Sequence, residues 1–235
     1  MQLSDYFITE GNQISFTRDQ ASRFAKQVAE DFNPLHNPDS KMFCVPGDLL
    51  FAVSLNRLGL SESMCFTFSR MVSDKALIFP QSDAEELTIT DEDGKAYLSI
   101  HRKGAITRDR QLIQDLAYRY ITFSGHTFPH LLVPLMAQRG VMINPGRPVI
   151  MYQSMLIRLD RLEIREPSIE YQGATLDVQG KKGMVRLDFR FLDGAHEVGH
   201  GSKHMALRGL QTYQEAAMQQ VVNDYVCYQT AYGTI

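Results

Sequence analysis

The chain has little of what marks the common specialised classes. Its basic residues are scattered, and the densest clusters, Arg102-Lys103 and Lys181-Lys182, are only pairs that read as solvated turns. With a net charge of −3 at pH 7, no electrostatic footprint for nucleic acid is present. No uncharged apolar run approaches the roughly 18 residues that a membrane span requires. The first ten residues have neither a basic n-region nor an apolar h-region, so no secretory signal is expected. Cysteine is sparse. Cys44, Cys65 and Cys227 are odd in number and lack CxxC spacing, which suits reduced thiols in a cytoplasm, and Cys44 reads as a small buried hydrophobe. Walker A, GxGxxG in a strand–helix context, GxSxG and HExxH are all missing, so neither a cofactor nor a metal is expected.

What remains is an ordinary composition in 235 residues, enough for one large domain or two small ones. A short β-like stretch, 12–17, precedes Thr17-Arg-Asp-Gln20, which has the form of a capping box and starts a helix running to about Glu30. Phe24, Ala25, Val28, Ala29 and Phe32 form one stripe on it. The next helix, Asp48 to Leu58, is apolar on almost every side and is stopped by Gly59, so other elements must wrap it. Strands are expected around 64–69, 86–90 and 95–102, the last two joined by Asp91-Glu-Asp-Gly94. The β-rich string Tyr118-Arg-Tyr-Ile-Thr-Phe123 predicts another strand over 112–123.

The second half repeats the plan. Thr127 is expected to cap an apolar helix over 128–139, with Pro129 in its first turn and Gly140 as its stop. Strands follow at about 149–159, 169–178, 184–192 and 196–207, and 212–226 reads as an amphipathic helix. Twice, therefore, an apolar helix precedes a series of antiparallel strands, and laying two such units side by side would pair edges otherwise exposed. The expected segments are 1–125, 126–210 and 211–235.

Chemistry concentrates in Asp31-x-Asn33-Pro34-Leu35-His36. A carboxylate and an imidazole on one sharp loop can pass a proton through a single water. Ten residues on, Pro46-Gly47-Asp48 opens the buried helix, whose N-terminus can hold a developing oxyanion, with glycine permitting close approach. His196, His200 and His204 recur every four residues, but strand positions four apart are roughly 13 Å distant and cannot share an ion. They read as polar positions on a strand face. His126 and His130 stand either near the first half's site or in capping and surface roles.

Residues 21–58 resemble the hydratase-type hot-dog proteins, the (R)-specific enoyl-thioester hydratases also called MaoC-like dehydratases. That resemblance implies an α+β hot-dog fold, here a double hot dog. It implies Asp31 as general base and acid, His36 sharing the water, Asn33 orienting the pair, and Gly47 offering its N–H to a thioester carbonyl. Pro46, Leu50 and Phe51 are the expected substrate contacts. The implied reaction is syn addition of water to an enoyl thioester linked to CoA or a carrier protein, or its reversal, by a pseudo-dimeric monomer or a homodimer. Three residues depart from the family pattern. Glu30 replaces Gly, Pro46 stands where His is frequent, and Asp48 places a negative charge beside the oxyanion site unless it points away as a cap. Those departures speak for a hot dog that binds acyl thioesters or other hydrophobic ligands without turnover, and a thioesterase is a third option within the same fold.

Overall fold

In the computed structural model, which describes residues 2–233, the chain is a long antiparallel sheet curled around helices. Its first part runs β1 (Ile8–Glu10), β2 (Gln13–Ser15), α1 (Arg18–Gln27), α2 (Gly47–Leu58), β3 (Leu60–Phe68), β4 (Leu77–Ile78), β5 (Glu86–Thr90), β6 (Ala96–Thr107) and α3 (Arg110–Gly125). The second part comprises α4 (Thr127–His130), α5 (Leu132–Gln138), β7 (Val141–Met142), β8 (Val149–Leu159), β9 (Pro167–Gln179), β10 (Lys182–Asp193), β11 (His196–Arg208), β12 (Gln211–Thr212) and α6 (Glu215–Gly233). The outer ends of the expected segments, Met1 and Thr234–Ile235, lie outside the described residues. Ten strands form one sheet in the order β1-β2-β4-β5-β6-β3-β8-β11-β10-β9. Its two parts join where Ser63–Thr67 of β3 pair with Ser154–Arg158 of β8.

The strands β2, β4, β5, β6 and β3 wrap α2, which makes this a hot-dog fold of the α+β class. Leu49, Phe51, Val53 and Leu55 of α2 are wholly buried. Each such side chain contributes roughly 1.5–3 kcal/mol on burial, so wrapping this helix is a principal driving force for the curl. Gly59 ends it at φ +85°, and the buried Arg102 guanidinium donates to the Leu58 carbonyl at 2.7 Å. Arg102 therefore sits inside β6 rather than in a solvated turn, whereas Lys181 does occupy the β9–β10 turn. The capping box at Thr17 and Gln20 forms as expected.

Two expected elements fail. The segment 112–123 is helical, because Asp109 Oδ1 accepts from the Gln111 and Leu112 amides and the buried residues Leu112, Ile113, Leu116, Ala117, Tyr120, Ile121 and Ser124 follow a helical period. Strand propensity in Tyr118–Phe123 loses to that stripe. It is α3 that lies beside α2, with Tyr120 packed on Phe51 at 4.8 Å and on Phe189 of β10 at 5.8 Å. The helix expected over 128–139 is instead two short pieces. Phe128 is extended (φ −107°, ψ 132°), as the residue before a proline prefers, and Thr127 Oγ1 donates back to the Ser124 carbonyl rather than capping forward. The four long strands of the second part lie within two residues of their expected limits, and the terminal helix is longer than expected, Glu215–Gly233. No helix among the described residues is long and apolar enough to cross a membrane.

Candidate active site

The loop after α1 is shaped by its own side chains. Glu30 has φ +54° and is the only described non-glycine residue with positive φ. It occupies the left-handed position after a helix end where glycine is favoured, and its side chain turns outward to His126, whose Nε2 is 2.8 Å from Glu30 Oε2. Asp31 Oδ1 then accepts from the Asn33 amide at 2.9 Å, and Asn33 Oδ1 accepts from the Leu35 amide at 3.1 Å. These two side-chain turns lead into one 3₁₀ turn, Pro34–His36. They bring His36 Nε2 to 3.5 Å from Asp31 Oδ2. His36 Nδ1 lies 2.7 Å from the Cys44 carbonyl. A carbonyl can only accept, so Nδ1 carries hydrogen and Nε2 is the atom turned to Asp31.

Electrostatics separates the pair. Burial alone would raise Asp31, but the hydrogen bond and charge of His36, with the Asn33 amide, bring it below its ordinary value. Burial alone would lower His36, yet Asp31 and the Cys44 carbonyl hold it above its ordinary value. The favoured resting state is carboxylate beside imidazolium. Burial pushes the Cys44 thiol up to about 12, so it is no nucleophile near neutrality.

Across the cleft, Pro46 precedes the first turn of α2 and its carbonyl accepts from both Leu49 and Leu50. The amides of Gly47 and Asp48, at the first two helical positions, have no intrahelical partner. A cavity of about 300 Å³ brings together Asp31, Asn33, His36, Pro46, Gly47 and Leu50. Phe51 is not among its walls; it is wholly buried on the far side of α2 against Phe66 and Tyr120. Gly47 is required for a steric reason: a Cβ there would stand 2.5 Å from Tyr152 Cδ1.

The cavity also holds Asp48, already placed near the oxyanion site from the sequence, and Tyr152 and Lys203, which sequence reasoning missed. Asp48 does not point away as a cap; it is buried, and its Oδ2 accepts from Ser124 Oγ of α3 at 2.6 Å. Lys203 of β11 donates from Nζ to the same Ser124 oxygen and lies 4.3 Å from the Tyr152 ring centre. The Tyr152 and Tyr120 hydroxyls bond each other, and burial holds both well above the ordinary phenol value. Nothing local announces Lys203. Its strand lacks clean alternation, with Gly201, Ser202 and Lys203 buried in succession and a register shift at His204/Met205.

From outside, α6 pins the loop. Tyr225, Tyr228 and Tyr232 share one helix face and set their rings edge-on around Phe32 at 5.7–5.9 Å. The Tyr225 hydroxyl accepts from the Phe32 amide and donates to the Glu30 carbonyl. A second cavity, about 320 Å³, lies beneath α6 and shares Asp31, Asn33 and Lys203 with the first. His196 and His200 are exposed on β11, and His204 Nδ1 is 3.0 Å from Ser154 Oγ.

Among solved structures, the chain is similar to a tesB protein from Mycobacterium avium subsp. paratuberculosis (10% identity, 87% of this chain and 97% of that one, TM-score 0.48). It is likewise similar to an acyl-CoA thioesterase II, TesB2, from Mycobacterium marinum (10% identity, 91% and 100%, TM-score 0.42). A protein described as a MaoC-like dehydratase also matches (11% identity, 87% and 98%, TM-score 0.43). No functionally curated protein matches the chain in sequence. A family profile described as "Protein of unknown function (DUF3581)" matches residues 1–216, up to the first turn of α6, and the chain belongs to that family.

Proposed function

We propose that this protein is a hydratase or dehydratase of acyl thioesters, working with Asp31 and His36 as base and acid and with Gly47 at the carbonyl. The observation that carries the reading is the Asp31–His36 pair: its working atoms are 3.5 Å apart on the wall of the cavity into which α2 opens. In hydration, Asp31 takes a proton from water as the water oxygen bonds to C3 of the enoyl group. The C2=C3 electrons move toward the thioester oxygen, whose charge the α2 N-terminus and the Gly47 N–H receive. His36 Nε2 then gives its proton to C2. Transfer of the captured proton from Asp31 to His36 restores the pair, and the net change is addition of H and OH. Dehydration is the reverse sequence.

We read the chain further as a double hot dog, with β8–β11 as a second unit that lacks a proton-handling loop. The segments 1–125, 126–210 and 211–235 are the proposed division, with α3 packed both on α2 of the first part and on β10 of the second. A second reading is supported by Tyr152, whose ring lies against Gly47. There the cavity binds an acyl thioester without turnover. Loss of enoyl absorbance with short- and medium-chain enoyl-CoA, in wild type and Asp31→Asn, separates the two. Turnover that falls roughly 100- to 10,000-fold in the variant supports the hydratase, and saturable binding with no turnover in either supports the binder. For the hydratase, the alkaline limb of the rate profile is expected above 6.5 and the acid limb below 3.8, because His36 is raised and Asp31 lowered from those values.

A further inference from the structure

Helix α6 turns one of its faces toward empty space instead of core. Val221, Asp224, Tyr225 and Tyr228 are spaced i, i+3, i+4 and i+7, so they share that face. Together they roof the cavity of about 320 Å³. Met218 is the single buried residue of α6. Opposite the helix the walls are apolar, formed by Phe128, Leu132, Ile143, Ile150 and Met205. Protein interiors are close-packed, and an unfilled apolar space of this size costs stability. A ligand explains the space better than a packing fault does.

Polar groups on these walls are already engaged. The Tyr225 hydroxyl is spent on the Phe32 amide and the Glu30 carbonyl, and the Tyr228 hydroxyl donates to Asn37 Oδ1 at 3.2 Å. Thr127 Oγ1 donates to the Ser124 carbonyl, Ser124 Oγ is held between Asp48 and Lys203, and Asp224 Oδ1 accepts from Gln220 of its own helix. What these side chains leave for a ligand is ring face and hydrocarbon, which suits an uncharged apolar chain. The two cavities meet at Asp31, Asn33, Ile150, Lys203 and Met205, which line both. An acyl chain whose C3 lies at Asp31 therefore has the second cavity beside it. Charge decides which end of the ligand goes where. Arg70 and Arg208 line the first cavity, whereas the second has, among the described residues, no cation but the shared Lys203. An anionic carrier belongs on the arginine side, and hydrocarbon belongs under α6.

We propose that the cavity beneath α6 takes the tail of the acyl chain, and that Val221, Tyr225 and Tyr228 set the greatest length that tail can have. A methylene fills about as much room as a water molecule, roughly 30 Å³. A space of about 320 Å³ then holds no more than about ten carbons beyond C3, or about thirteen in all. The ligand class is a straight-chain acyl thioester of medium length. This rests on the acyl-thioester reading above but not on turnover. It makes α6 a specificity element as well as a brace for the loop.

The test titrates the full chain calorimetrically with saturated straight-chain acyl-CoAs from butanoyl to hexadecanoyl. Wild-type affinity is expected to rise about two- to fourfold per added methylene and to level off at about thirteen carbons. Val221→Phe is expected to bring that limit down, and Val221→Ala to push it up, by about one or two carbons. A general loss of packing would weaken every length together and leave the limit in place. Affinity that ignores chain length, a limit that neither variant moves, or no binding of any acyl-CoA by wild type overturns the proposal. If Val221→Phe does not fold, Val221→Ala alone decides. Wild type that shows the movable limit but does not hydrate enoyl-CoA removes the hydratase reading and leaves this one standing. Wild type that hydrates a short enoyl-CoA while its affinity ignores chain length does the opposite.

Discussion

Two polar clusters share one cavity yet are built in opposite ways. Asp31 and His36 are five residues apart on a loop that its own side chains fold, and their charges support each other. Asp48, Ser124 and Lys203 come from α2, α3 and β11, 76 and 79 residues apart along the chain, and meet only when the halves of the sheet close. In the local cluster His36 helps to lower Asp31 below its ordinary value, whereas in the assembled cluster burial raises Asp48 above its own. On the proposed function, proton handling falls to the loop, and the junction between the halves forms the opposite wall of the cavity.

The contrast is sharpest in turnover. Asp31→Asn and His36→Ala are each expected to slow hydration roughly 100- to 10,000-fold. The double variant should be no worse than the slower single, because the two residues act as one unit. Single-turnover rates on enoyl-CoA measure this, and multiplied losses would show that they work independently.

Stability should divide the clusters by sign. Asp31 is lowered in the folded protein, so its contribution is present above 3.8 and is lost as pH falls through its folded value. Asp31→Asn should thus fall behind wild type as pH rises from the folded value of Asp31 to 3.8 and keep a constant deficit above it. Asp48 is raised, so the folded state holds a proton that the unfolded chain releases, and wild type loses stability above 3.8 on its account. Asp48→Asn should gain on wild type in the range above 3.8 instead. Urea midpoints across a pH series test both, and slopes of the same sign would erase the distinction.

The smallest effect concerns the loop's outer support. Tyr225→Phe removes the hydroxyl bonded to the Phe32 amide and the Glu30 carbonyl. A loss of about 1 kcal/mol, with faster amide exchange at Phe32, is expected. Unchanged exchange there would mean that Asp31 and its neighbours hold their shape without α6.

The local cluster was legible because its information lies within six residues. Asp31 and Asn33 can bond backbone two residues on, Pro34 stiffens the turn, and a helix apolar on almost every side, opened by Gly47, follows. Glu30 shows the limit of that kind of reading. Its left-handed backbone explains why glycine suits the position, but only the structure shows its side chain turned outward to His126. Phe51 was misplaced because a helix apolar on all sides gives no clue to which side meets a cavity. The misread of 112–123 has the same root. Aromatic and β-branched residues suit a strand or a buried helix equally, and the Asp109 cap with its helical stripe decided between them.

Sequence alone determined the wrapped apolar helix, the long strands of the second part and the Asp31–His36 corner, since each depends on periodicity or on bonds between near neighbours. Tertiary structure decided where α3 lies, what Asp48 touches and that Lys203 reaches the cavity. Those outcomes depend on which buried faces meet across the β3–β8 junction, and no short stretch of chain encodes that meeting.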